Sequence, residues 1–143
     1  MKLLRVKATG FKGCCDGITI DLVAKQKKTA EDKEYELQEI ADGLYVFNTM
    51  ALIGKNASGK TTILQLLDCA YSILGDFQLG EKHYEYDGAQ VEITFFHQGF
   101  LYRYETRIQV EGNLKMFTNF QDEKIYRKEY FKTSVNNIFK LEK

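Results

Sequence analysis

The chain has 143 residues, a length that suits a single domain with a substantial buried core. Its 10 Phe and 9 Tyr residues exclude a disordered chain, and its formal net charge of zero argues against a general polyanion-binding surface. The sequence predicts neither a membrane-spanning helix nor a signal peptide, because apolar runs are short and the N-terminus turns polar early. We therefore expect a cytoplasmic protein whose three cysteines are reduced thiols packed as small hydrophobes: Cys14, Cys15 and Cys69.

The first part of the chain predicts two strands that pair with each other. Apolar and polar residues alternate over residues 3–9 and again over residues 18–23, which is the period of a half-buried strand. In the first strand the predicted inward face consists of Leu4, Val6 and Ala8. Between the two strands lies a predicted turn, Gly10-Phe11-Lys12-Gly13.

Residues 24–42 carry the densest mixture of charges in the chain. Mixed signs favour a solvated connector, with a short helix ending near Gly43. A surface that binds a partner is the less favoured alternative. Residues 44–53 then predict a strand that ends in the apolar run Met50-Ala51-Leu52-Ile53, as expected of a buried parallel strand.

The next residues fit the phosphate-binding pattern G-x-x-x-x-G-K-[S/T] as Gly54-Lys55-Asn56-Ala57-Ser58-Gly59-Lys60-Thr61. Behind the loop, apolar residues recur at helical spacing, and Gly75 stands where the helix is expected to stop. These apolar positions are Ile63, Leu66, Leu67, Ala70 and Leu74. The order of strand, glycine loop and helix predicts a nucleotide-binding site.

The residue types of the loop match the chemistry of a bound phosphate. Two glycines let the backbone turn closely, and the positive end of the helix presents N–H groups to phosphate oxygens. Lys60 is expected to reach the β- and γ-phosphates, Thr61 to ligate Mg²⁺, and Thr62 to donate to the α-phosphate. The alternative is a glycine-rich helix start that binds nothing, in which the lysine would have no interaction partner.

After the helix, the pattern predicts an antiparallel meander of four strands with one buried face. The strands cover residues 91–96, 100–110, 114–120 and 124–127, with turns at Gln98-Gly99, Gly112-Asn113 and Gln121-Asp122. The aromatic stripe along the second of these strands favours an ordinary core over a surface that stacks nucleic-acid bases. Residues 129–143 place further apolar side chains near helical spacing.

The whole arrangement predicts the α/β class: a P-loop NTPase lobe whose mixed sheet has N-terminal strands, a P-loop strand and helix, and the meander. It resembles the first lobe of ATP-binding-cassette (ABC) type ATPases of the RecF/SMC kind, and most closely the bacterial OLD-like AAA-family ATPases. The resemblance spans nearly the whole chain. It rests on Leu3-Leu4-Arg5-Val6 with Gly10-Phe11-Lys12, on residues 51–64 including the loop, and on Tyr102-Arg103-Tyr104-Glu105 and Glu123-Lys124-Ile125.

This resemblance implies ATP and Mg²⁺ held between two lobes, in a homodimer arranged head to tail over two nucleotides. It also implies a role in DNA repair, chromosome handling or phage defence, often beside a nuclease, although the net charge gives DNA binding no support. By the same resemblance, Lys12 would lie near the nucleotide and contact a phosphate. An exposed turn lysine is an equally good interpretation of Lys12.

Two features of such ATPases have no counterpart in the sequence. No apolar run ends in Asp-Glu, and no serine-glycine signature follows the loop. Phosphoryl transfer needs charge stabilisation from several groups, of which Lys60 supplies one. We therefore expect residues 1–143 to be the N-terminal ATP-binding lobe of a truncated ATPase, which needs a C-terminal half or a partner chain for hydrolysis. The alternatives are a small P-loop kinase and an interaction module with a vestigial loop.

Overall fold

The computed structural model describes residues 1–14, 16–25, 36–55, 59–75, 83–112 and 117–141. These residues form seven strands, one α-helix and two short 3-10 helices. The main sheet consists of β1 (Lys2–Thr9), β2 (Ile18–Asp21), β5 (Gln90–His97), β6 (Phe100–Glu111) and β7 (Phe117–Glu129). The remaining elements are β3 (Leu37–Ala41), β4 (Leu44–Phe47), α1 (Lys60–Leu74) and the 3-10 helices His83–Tyr86 and Lys132–Asn137.

The five-stranded sheet has the order β2-β1-β5-β6-β7, and all its pairs are antiparallel. The predicted α/β class and the pairing of the two N-terminal strands are confirmed, and an antiparallel meander follows α1, with three strands in place of the four predicted. β1 joins these parts because it pairs with β2 on one side and with β5 on the other. The N-terminal strand is therefore an interior strand of the sheet.

Each face of the sheet carries its own hydrophobic core. On one face α1 packs through Leu66, Cys69 and Ala70 against strand residues that include Val6 and Ile93. On the other face the core is formed by the strands β3 and β4, the residues around the second 3-10 helix, and Leu4 and Leu101 of the sheet. The domain thus has three layers, with the main sheet in the middle.

The predicted inward face of β1 is wrong at one position. A bulge between Leu3 and Arg5 shifts the alternation, so that Leu3 joins Val6 and Ala8 in the core beneath α1. Leu4 points into the opposite core instead. Both leucines are buried, because each face of this strand is covered by another layer.

The short helix predicted before Gly43 is also wrong where the structure describes the segment. Residues 37–41 are strand β3, which forms a hairpin with β4 through the turn Asp42-Gly43, while residues 26–35 lie outside the described residues. The turn suits glycine because Gly43 has a φ of 74°, and its N–H donates to the Glu39 carboxylate over 3.1 Å. The other edge of β4 is held by Leu22, whose carbonyl accepts the Phe47 N–H at 3.0 Å.

The buried parallel strand predicted over Met50–Ile53 is absent from the described structure. β4 ends at Phe47, and the four residues before the loop have no strand conformation. Ile53 is 94% exposed. A parallel strand forms only beside a neighbour that pairs with it, and all strand pairs among the described residues are antiparallel. The apolar run is therefore present without the sheet that would bury it.

The third and fourth strands predicted in the meander form one strand, β7, which pairs with β6 along most of its length. The predicted break at Gln121-Asp122 is a bulge, where Asp122 has a φ of 54° and the register against β6 shifts between Glu105 and Arg107. The turn predicted at Asn113 falls outside the described residues. The C-terminal apolar pattern is partly confirmed, because a 3-10 helix precedes the buried residues Ile138 and Leu141.

Burial in the core beneath α1 makes the stability of the chain sensitive to alkaline pH. Burial, with a smaller contribution from Asp68, raises the pKa of Cys69 from 9.0 to about 12. Burial and the hydrogen bond to Glu123 raise the pKa of Tyr104 from 10.0 to about 12. Both groups stay neutral in the folded chain while the unfolded chain ionises, so their contribution is complete below pH 9 and is lost as the pH rises toward 12.

We therefore expect the free energy of unfolding to fall by on the order of 1–2 kcal/mol between neutral pH and about pH 10.5, chiefly through Cys69, because solvent screening reduces the contribution of the half-buried Tyr104. Urea unfolding at the two pH values measures this loss. Cys69→Ala is the matched variant and should show a smaller loss, because it lacks the thiol. An equal loss in wild type and variant would contradict the assignment to Cys69.

Candidate functional site

The described parts of the glycine loop lie at the start of α1. Gly54 and Lys55 are exposed and irregular, and Gly59 is the N-cap of the helix. Gly59 has a φ of 85°, a left-handed conformation that strains residues with a Cβ, and a Cβ built on it would meet nothing within 4 Å. The predicted residues Asn56, Ala57 and Ser58 lie outside the described residues.

The N-terminus of α1 has the electrostatics that an anion requires. Within the described residues no side chain caps Gly59, and the first helical turn contains no acidic residue. The first helical hydrogen bond runs from the Ile63 N–H to the Gly59 carbonyl over 3.1 Å, so the N–H groups before it have no partner within the helix. Those groups and the positive end of the helix dipole favour a negatively charged ligand.

Lys60 ties the beginning of the loop to the helix. It is the first residue of α1, and its Nζ donates to the carbonyl oxygens of Gly54 and Lys55, each over 2.6 Å. The ammonium is thus held over the loop by two neutral acceptors from the chain. A phosphate oxygen is a stronger acceptor than a carbonyl for an ammonium donor, so this position fits a phosphate ligand.

The two threonines that follow belong to the first turn of the same helix. Thr61 is exposed and Thr62 is half-buried. A hydroxyl in the first position after the loop lysine is the group that ligates Mg²⁺ in phosphate loops. The residues present therefore fit both a phosphate chain and its metal ion.

Lys12 lies beside the helix that carries the loop, but its ammonium is engaged elsewhere. Its Nζ forms an ion pair with Glu85 at 2.7 Å and donates to Gln65 at 2.5 Å. Gln65 lies on α1 one turn beyond Thr61. The structure thus brings Lys12 near the candidate site, and its contact with a phosphate stays a prediction.

Sequence reasoning missed the anchor of the turn that carries Lys12. Phe11 is fully buried and its ring stacks on Tyr86 with centroids 4.8 Å apart. Glu85 and Tyr86 belong to one 3-10 helix, so the same element holds the turn through an ion pair and a ring stack. The available signal was a large apolar residue between two glycines of a turn, which is a poor place for an exposed side chain.

Residues 50–140 match the profile of a family described as "AAA domain, putative AbiEii toxin, Type IV TA system". The match covers the phosphate loop, α1 and the meander. The chain belongs to this AAA family. Searches of curated proteins and of solved structures gave no match.

Membership of the AAA family confirms a P-loop ATPase-like domain, which is the broader part of the resemblance derived from the sequence. It implies the use of a nucleotide, typically with Mg²⁺. The closer relationship to OLD-like and RecF/SMC proteins stays a prediction, and so do the roles of the individual loop residues. Among the described residues of this AAA domain, no helix is long and apolar enough to cross a membrane.

Proposed function

We propose that this AAA domain binds Mg-ATP through residues 54–62. The observation that carries the proposal is the position of Lys60, whose ammonium lies over the described part of the loop at the N-terminus of α1. When a nucleotide binds, Lys60 exchanges two carbonyl acceptors for anionic phosphate oxygens, and each hydrogen bond becomes charge-assisted at both ends. Thr61 would hold the metal ion, and Thr62 would donate to the α-phosphate. A magnesium ion held there would neutralise part of the phosphate charge.

The domain acts as the N-terminal ATP-binding lobe of an ABC-type ATPase of the OLD-like group. Large apolar side chains are exposed around the loop, which is typical of a surface that another polypeptide covers. Before the loop these are Met50, Leu52 and Ile53, and in the first turns of α1 it is Leu64. A C-terminal half or a partner chain that adds a parallel strand beside residues 50–53 would bury this surface.

Hydrolysis requires that second half. Among the described residues, the loop and the first turn of α1 supply the ammonium groups of Lys55 and Lys60 and two threonine hydroxyls, but no carboxylate. Positioning and charge stabilisation in phosphoryl transfer come from several groups acting together. The 143-residue chain alone therefore binds nucleotide and hydrolyses it negligibly.

The biological setting that we favour is defence against phage. The resemblance to OLD-like proteins is the basis for this setting, and the family is described with the words "putative AbiEii toxin, Type IV TA system". DNA repair is the alternative from that resemblance. The formal net charge of zero gives no evidence for DNA binding, so it does not favour one setting over the other.

Thermal unfolding with Mg-ATP, Mg-ADP and Mg-GTP tests the proposal. A ligand at one hundred times its Kd stabilises a folded chain by about 2.7 kcal/mol. For a chain of this size each kcal/mol corresponds to roughly 3–5 °C in Tm. We expect the adenine nucleotides to raise the Tm and phosphate release to stay at background. No shift with any nucleotide would contradict ATP binding, and robust hydrolysis that depends on Lys60 would contradict the need for a second half.

A further inference from the structure

The longest strand of the sheet has an open edge. Among the described residues β7 pairs only with β6, so one side of its backbone has no strand partner. At the opposite end of the sheet β2 spans only Ile18–Asp21, and the residues after it pair with β4. An unpaired edge presents N–H and C=O groups that can hydrogen-bond to a further strand. β7 is therefore the edge at which the sheet can be extended.

The side chains near the middle of β7 are arranged symmetrically about an exposed isoleucine. Ile125 is 66% exposed although it lies opposite Tyr104 in the middle of the strand pair. Glu123 and Arg127 lie two residues to either side of it, and both are exposed. Glu123 belongs to the bulge, and its hydrogen bond from Tyr104, the residue opposite Ile125, places it on the same face as Ile125. Along this face the order is acidic, apolar, basic. When an identical strand lies antiparallel to it, each acidic residue faces a basic residue and the two apolar residues face each other.

We propose that β7 pairs antiparallel with β7 of a second copy of this chain, about a two-fold axis through Ile125. In that register Ile125 contacts its own symmetry mate, and Glu123 of each copy lies opposite Arg127 of the other. The interface is isologous, because the same residues contribute from both copies. It contains one apolar contact between two ion pairs, and the main-chain hydrogen bonds of the strand pair add to both.

The charges favour this register over the one centred on the next residue, Tyr126. Moving the axis by one residue, to Tyr126, would place Glu123 opposite Glu129 and Lys124 opposite Lys128. Like charges directly opposite each other on paired strands are destabilising. The left-handed residue Asp122 interrupts regular strand geometry, so the pairing extends from Glu123 through Arg127.

Contacts within the chain hold the two charged side chains in place for this role. Tyr104 donates a hydrogen bond to the Glu123 carboxylate, and the Arg127 guanidinium lies 4.9 Å from the ring centroid of Phe100. Both aromatic partners belong to β6, so the two side chains are braced from inside the sheet. Less side-chain freedom then remains to be lost on association.

Charge reversal on β7 tests the pairing by sedimentation equilibrium of the full chain without nucleotide. Glu123→Arg places two arginines opposite each other at both ends of the interface, and Arg127→Glu does the same with two glutamates. We expect each single variant to associate about tenfold or more weakly than wild type. An equimolar mixture of the two variants should form heterodimers, because every facing pair is again of opposite sign. The double variant should associate more strongly than either single variant, because its facing pairs are again of opposite sign although the contacts with Tyr104 and Phe100 are lost.

Arg107→Glu is the matched control, since it reverses an exposed charge on β6 away from the open edge. It should leave association unchanged. The mixture and the double variant guard against misfolding, because both lose the contacts with Tyr104 and Phe100 and are still expected to associate.

A wild-type chain that stays monomeric up to millimolar concentration would overturn the proposal and leave the edge to a strand of another protein. Single variants that dimerise like wild type, or a mixture that does not recover association, would overturn it as well. The test is independent of ATP binding, because Lys60→Ala should dimerise normally.

Discussion

Replacing Lys60 with alanine is expected to weaken Mg-ATP binding on the order of 100-fold. The substitution removes the ammonium that donates hydrogen bonds to the carbonyl oxygens of Gly54 and Lys55 in the loop. Those carbonyls are exposed, so water replaces the lost donor in the free chain and stability should change little. Titration with a fluorescent ATP analogue, beside a melting curve without ligand, separates the two effects.

Lys132→Ala is the control for a general loss of positive charge. Lys132 pairs with Asp42 at 2.9 Å, and both side chains are 68% exposed and belong to the layer on the other face of the sheet. This variant should bind Mg-ATP as wild type does. Equal binding by Lys60→Ala and wild type would show that the nucleotide does not use this loop.

Phe11→Ala is expected to lower the free energy of unfolding by about 3–5 kcal/mol. Phe11 is fully buried, stacks on Tyr86 and forms part of the core beneath α1. Removing the ring leaves a cavity that the rigid sheet cannot close. Because small domains are stable by only about 5–15 kcal/mol, the variant should be close to unfolding at room temperature.

Urea unfolding measures this change through the midpoint at constant slope. Phe131→Ala is the matched control, since it removes the same ring from a position that is 56% exposed, and it should cost less than about 1 kcal/mol. A loss below that value for Phe11→Ala would mean that the turn does not anchor the core. If Lys12 contacts the nucleotide, Phe11→Ala should also weaken ATP binding at temperatures where the variant is folded.

The features that could be predicted from the sequence are those that depend on neighbours in the chain. The helix behind the loop was predicted because its apolar spacing and its stop at Gly75 are local, and α1 ends where expected. The strands of the meander follow the same rule, since period-two alternation reports one buried face. The loop itself could be located because its glycines and Lys60 are consecutive in the chain.

The errors concern features that depend on distant residues. An apolar run such as Met50–Ile53 has the composition of a buried strand, but only a paired neighbour turns it into one. At Asp122 a turn signal marks a bulge, because β6 continues past it as a pairing partner. The engagement of Lys12 by Glu85 and Gln65 could not be predicted, since these contacts join three separate elements.

The interior position of β1 also bears on how the chain is made. During synthesis α1 leaves the ribosome before β5, yet β5 is the strand that pairs with β1 beneath that helix. The phosphate loop is therefore translated before its supporting sheet exists, and folding must wait for the polypeptide to close a long segment back onto its first residues. Such distant pairing slows folding and exposes the amphipathic helix in the meantime. Nascent chains halted before residue 90 should consequently be targets for chaperones.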